Sequence, residues 1–204
     1  MTDYKLTYFD MEAGRAEPVR IALHAAGVNF EDIRISFPEF METRDSLRFK
    51  CVPVLEVDGV AVTQSNAMCR YAGKMAGLYP EDPLQALYCD EAMGAIEDAL
   101  HQAVLTFGLE GDELKTAREK LVAGWLTVFL RGLNEMLERG GDYFADNRLT
   151  VADLKVSGFS KWLMSGDLDH VPTDLVERLA PLLVAHEQRV AGDPVVVSYY
   201  ESRT

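Results

Sequence analysis

The chain has 204 residues, 48% of them hydrophobic, and 20 Lys/Arg against 33 Asp/Glu give a net charge of −13. That is enough chain for one domain or two small ones with a sizeable core. The acidic balance argues against a nucleic-acid partner, and no apolar run approaches the roughly 18 residues that cross a bilayer.

In chain order, "YKLTYF" (4–9) reads as a strand with Tyr4, Leu6 and Tyr8 on one face by the two-residue repeat. "AEPVRIALHAAG" (16–27) reads as a helix. Pro18 suits its first turn, Val19, Ala22, Leu23 and Ala26 make an apolar stripe, and Gly27 can close it. "FEDIRISF" (30–37) is the next strand, so the first two strands should be parallel with a right-handed crossover. A short helix is expected around 40–48. "PVLEV" and "VAVT" flank Asp58-Gly59, the signal for a type I′ hairpin, and a helix runs from Ser65 to about Gly77. "LYPEDPLQ" (78–85) reads as a linker.

Beyond it the pattern is helical. Helices are expected over 84–108 and 113–138, the second with Leu114, Ala117, Leu121, Trp125, Phe129, Leu133 and Met136 at helical spacing. "LTVADLKV" opens another with a capping box of Thr150 and Asp153 and a buried face of Phe159, Trp162 and Leu163. A last helix (173–191) precedes the tail "DPVVVSYYESRT". The charge divides unevenly: residues 1–80 hold nine Lys/Arg and eleven Asp/Glu, a net of −2, and residues 81–204 hold the remaining −11. Two units are therefore expected, 1–80 mixed and 81–204 all helical, with the first electrically free to receive an anion. Cys51, Cys69 and Cys89 form no CxxC, and the N-terminus carries no basic segment followed by an apolar core. Both features lead to the expectation of a reducing, cytoplasmic location. The four histidines lack metal-ligand spacing, so no metal is expected.

Pro53 heads an apolar strand, although proline cannot donate to a sheet ladder. The order β-α-β-α-β-β-α is the thioredoxin-like arrangement, in which a proline just before the third strand is held cis. The N–H and C=O of Val52 would then face outward and could pair with a bound thiol peptide as an added strand does. An ordinary trans proline opening the strand is the other reading. Ser65 stands where an N-cap belongs, and a helix N-terminus carries unpaired N–H groups and partial positive charge that favour a carboxylate. Plain capping accounts for Ser65, but it leaves the neighbouring Gln64, a donor and an acceptor at once, unexplained.

Taken together, "YKLTYF", "GRAEPVRIAL", "VPVLEVDG", "QSNAMCRY" and "LTVADL" resemble the cytosolic glutathione transferases, nearest to the sigma-like classes, over the whole chain. The resemblance implies an N-terminal thioredoxin-like domain, a C-terminal helical domain and a homodimer. It also implies glutathione as co-substrate and transfer of its sulfur to a hydrophobic electrophile. Tyr8 matches the catalytic tyrosine and Arg15 the arginine supporting it, although a helix-start ion pair with Glu12 or Glu17 would also explain Arg15. Val52, Pro53, Gln64 and Ser65 match the glutathione contacts. Asp98 matches an acid that reaches the γ-glutamyl ammonium in the partner subunit, with Glu97 as the competing choice.

Sigma-like members commonly carry a tryptophan where this chain has Phe37. The cation for the glycine carboxylate of glutathione is therefore open among Arg44, Arg48 and Lys50. Phe9, Met11, Leu105, Phe107, Tyr199 and Tyr200 are the expected lining of the electrophile pocket. Rival readings are a glutathione-dependent isomerase of the prostaglandin D synthase kind, a peroxidase, or a non-enzymatic crystallin-like relative. A disulfide reductase is disfavoured by the missing CxxC.

Overall fold

A computed structural model describes residues 2–203. Four strands, β1 (Tyr4–Phe9), β2 (Glu31–Ile35), β3 (Val54–Val57) and β4 (Val60–Thr63), form one sheet in the order β2-β1-β3-β4. β1 and β2 are parallel; β3 is antiparallel to both β1 and β4. Leu6 and Tyr8 are buried on one face of β1, as the alternation requires, and α1 (Glu17–Ala25) packs against α3 (Ser65–Ala76). Asp58 and Gly59 both take positive φ, which a type I′ turn demands. The Val52–Pro53 peptide is cis. α3 closes on Gly77 in the left-handed region, with the N–H of Leu78 returning to the carbonyl of Gly73 at 2.7 Å.

β2 ends at Ile35, two residues before Phe37. Ser36 and Glu39 form a capping box that starts α2 (Phe37–Thr43), so Phe37 belongs to a helix and stands 63% exposed. A 3-10 turn, Arg44–Ser46, follows. Sequence periodicity could not separate strand from helix here, because Ser-x-x-Glu directly follows the β-branched run.

The helical half begins with α4 (Pro83–Val104), capped by Asp82, which accepts from the N–H groups of Leu84 and Gln85. The expected helix over 113–138 is interrupted. α5 (Gly111–Leu121) passes through a π-helical turn (Val122–Leu126) into α6 (Thr127–Gly140). A π turn adds one residue, so Leu126, Leu130 and Leu137 are buried in place of the expected Trp125, Phe129 and Met136, while Leu133 is buried as expected. Trp125 is left 52% exposed and stacks on Phe129.

α7 (Val151–Ser165) starts with the Thr150–Asp153 capping box and buries Phe159 and Leu163, with Trp162 half-buried. The stretch 173–191 is two helices, α8 (Leu175–Leu179) and α9 (Pro181–Ala191), divided where Pro181 removes a backbone donor. The tail is also helical: Asp193 caps α10 (Pro194–Glu201). No helix among the described residues is long and apolar enough to cross a membrane.

Candidate active site

Tyr8 lies near the end of β1 and is 5% exposed. Its hydroxyl oxygen accepts the backbone N–H of Arg15 at 3.3 Å, which leaves its own proton to donate. Burial raises its pKa and outweighs the opposing pull of Arg15, so the phenol stays a neutral O–H donor at working pH. The loop that carries Arg15 is held from behind. Arg20, fully buried on α1, donates to the carbonyl of Met11 at 3.0 Å and pairs with Glu17 at 3.1 Å and Asp32 at 2.9 Å. Its guanidinium lies 6.0 Å from the centre of the Tyr8 ring. A charge inside the α1 stripe was not legible as a site feature in the sequence.

The Arg15 side chain turns away from Glu12 and Glu17. Its Nε donates to Glu97 Oε2 at 2.7 Å. Glu97 Oε1 accepts from both the Ser65 hydroxyl and the ammonium of Lys155, and Lys155 also contacts Ser65 Oγ at 3.1 Å and Asn66 Oδ1. Burial alone would raise the Glu97 pKa, but Lys155 and Arg15 outweigh it and hold the carboxyl at about 2. A continuous polar chain therefore runs from Tyr8 through Arg15 and Glu97 to Ser65 and Lys155.

Ser65 is not the cap of α3. Gln64 occupies that position at φ 79° and makes no side-chain cap, while the Ser65 hydroxyl is engaged sideways with Glu97. The N–H groups of Ser65 and Asn66 have no backbone acceptor among the described residues. The end of α3 is thus open to an anion. Lys155 went unnoticed in the sequence, although its spacing held the signal: Val151, Lys155 and Phe159 are four residues apart and all buried.

The other expected residues are placed as follows. Val52 and Pro53 are buried beside β3. Glu97 is the acid that faces the site within the chain; Asp98 is exposed on α4. Arg44, Arg48 and Lys50 are exposed, with Lys50 paired to Asp45 at 2.8 Å and Arg44 Nε donating to the carbonyl of Lys50 at 3.4 Å. Phe37 packs against Phe9 and Phe40.

Of the expected pocket lining, Tyr199 belongs to the core, edge-on to His24 under α1. Tyr200 lines a cavity of about 180 Å³ together with Gly14, Pro18, Gly158 and Trp162. Phe107 meets Trp162 edge-on, and Met11, Leu105 and Phe107 are exposed. Among the described residues no group of three or more His, Cys, Asp or Glu could hold a metal.

Two family models match the chain: the N-terminal domain of glutathione S-transferase over residues 4–74 and its C-terminal domain over residues 97–203. Glutathione S-transferase 3 of Caenorhabditis elegans is 32% identical over 181 residues, 85% of this chain and 86% of that one. Hematopoietic prostaglandin D synthase of Gallus gallus is 29% identical across 100% of this chain and 98% of that one. A solved prostaglandin synthase D of Nilaparvata lugens superposes with a TM-score of 0.85 at 28% identity, covering 99% and 98% of the two chains. The thioredoxin-like sheet, the helical half and these matches agree: the chain belongs to the cytosolic glutathione S-transferase family.

Proposed function

We propose that the chain is a sigma-like transferase whose Tyr8 hydroxyl stabilises the glutathione thiolate for attack on a hydrophobic electrophile. The observation that carries this is the polar chain from Tyr8 to Ser65, which joins a neutral O–H donor to an open helix N-terminus. A free thiol has a pKa near 8.5 and is mostly protonated at neutral pH. Lowering it by about two units takes roughly 3 kcal/mol, and a charge-assisted hydrogen bond from Tyr8 supplies much of that. The sulfur forms its new bond to carbon as a leaving group departs with the electron pair, or as the electron pair moves into a conjugated acceptor that is then protonated.

In this reading residues 1–80 bind glutathione and residues 81–204 contribute the electrophile pocket. The backbone of Val52, next to Pro53, pairs with the cysteinyl segment; Gln64 and Ser65 take the γ-glutamyl end. Arg44, Arg48 or Lys50 meets the glycine carboxylate beside Phe37. The exposed Asp98 reaches the partner's site in a homodimer, and the protein works in the cytoplasm.

Ultraviolet difference spectroscopy of bound glutathione against pH tests the assignment. The wild type should ionise glutathione well below pH 8.5, and Tyr8→Phe should return it toward the free value. Thiol that stays protonated in both, with glutathione bound and no turnover, would favour a binding relative instead. The prostaglandin D synthase relatives favour a second reading, isomerisation of a bound substrate with glutathione regenerated. Assaying conjugation and isomerisation side by side separates the two.

A further inference from the structure

We infer that Lys155 is a positioning residue for the γ-glutamyl end of glutathione: it supplies the buried positive charge that lets Ser65 and the end of α3 receive a carboxylate beside Glu97. The inference rests on the glutathione reading and adds to it a residue from the helical half of the chain.

Lys155 is 3% exposed on α7, and its ammonium contacts Ser65 Oγ, Asn66 Oδ1 and Glu97 Oε1. An ammonium has three donors, and these three acceptors use them all. Such a lysine is held in one place and adds a full charge where a helix terminus offers only about half of one. Glu97 would otherwise repel an incoming carboxylate. With Arg15 on one of its oxygens and Lys155 on the other, the cluster carries a net charge of about +1 inside a chain of −13.

The Ser65 hydroxyl donates to Glu97 in the free protein. When a ligand carboxylate arrives at the N–H groups of Ser65 and Asn66, that hydroxyl can turn its proton to the ligand. Glu97 then remains paired with Lys155 and Arg15, so no acceptor is stranded. Without Lys155 the same rotation leaves Glu97 with one partner fewer and a second negative charge close by.

A lysine that merely ties α7 to α3 and α4 would affect all ligands alike. A positioning lysine affects the carboxylate it serves. Titration calorimetry of glutathione and of its analogue lacking the γ-glutamyl α-carboxylate (4-aminobutyryl-cysteinyl-glycine) reads the difference. The wild type should prefer glutathione by tenfold or more. Lys155→Met should collapse that preference below threefold, and Lys155→Arg should keep most of it. Lys155→Gln removes the charge but keeps a donor; it carries the same expectation as Met and is decisive if Met does not fold. A preference that survives in the folded Met or Gln variant, with both ligands weakened in parallel, overturns the inference, as does a wild type without the preference. A wild type that binds no glutathione overturns the glutathione reading and this inference with it.

Discussion

Gly14 lies against the hydroxyl of Tyr8: a β-carbon at Gly14 would stand 2.7 Å from Tyr8 Oη and 3.2 Å from its Cε1. Gly14 also has φ +75°, in the left-handed region that side chains adopt only under strain. The next residue, Arg15, donates the N–H that holds the same oxygen. Gly14→Ala should displace the phenol and its donor together. The expected result is a fall in kcat/KM of about tenfold or more, since about 1–3 kcal/mol of strain falls on the contact that holds the Tyr8 hydroxyl. Affinity for glutathione should fall less than kcat/KM, because Ser65 and the end of α3 connect to Gly14 only through Arg15 and Glu97. An unchanged kcat/KM with normal thermal stability would sink the proposed role of the Tyr8 hydroxyl.

Asp153 is the hub of a second buried cluster, one that serves folding. It is fully buried and accepts from the N–H of Thr150 at 2.8 Å, the hydroxyl of Thr150 at 2.6 Å, the N–H of Phe144 at 3.0 Å and Nε2 of His186 at 2.9 Å. Asp153→Asn turns an amide NH₂ toward the backbone N–H of either Phe144 or Thr150, neither of which can accept. About 3 kcal/mol or more of stability should be lost, because several buried donors lose their acceptor at once. Urea denaturation at pH 7 measures this; a loss under 1 kcal/mol would show that the cluster rearranges freely.

What was legible in the sequence followed from local rules. Asp58-Gly59 marked its hairpin, Thr150 and Asp153 their capping box, and the two-residue repeat put Tyr8 on the buried face of β1. What escaped were features set by tertiary contact. The π turn after Leu121 shifts the buried face by one residue, so Trp125, aligned with the stripe by counting, faces solvent. Arg20 and Lys155 escaped for a different reason. A charged residue in an apolar pattern ordinarily marks a solvated edge, and only the acceptors gathered from distant elements make burial tolerable. Ser65 was expected at the cap of α3, but Gln64 takes that position, because the Ser65 hydroxyl is drawn sideways to Glu97. The helix α10 had its Asp-Pro start in plain view, but the three valines that follow read more readily as extended chain.

Glu97 should give the protein a pH-dependent share of its stability. Its carboxyl is held at about 2 in the folded chain, against 4.5 for a carboxyl free of such partners. The folded state therefore releases the proton more readily than the unfolded one, so the contribution is complete above the unfolded value and is lost as pH falls from about 4.5 to about 2. A shift of that size corresponds to about 3 kcal/mol, and the side chain is only 25% exposed, so solvent screening removes a minor part. Glu97→Gln removes the charge and leaves Lys155 and Arg15 facing an amide. At pH 7 the variant should be less stable than the wild type by about 2–4 kcal/mol. As pH falls the wild-type carboxyl is protonated and comes to resemble the amide, so the two urea-denaturation midpoints should converge below pH 4.5. Other carboxylates titrate in the same range in both proteins and cancel in the difference. A gap that stays constant from pH 6 to pH 3 would mean that Glu97 is not held by its two cations in the way the geometry requires.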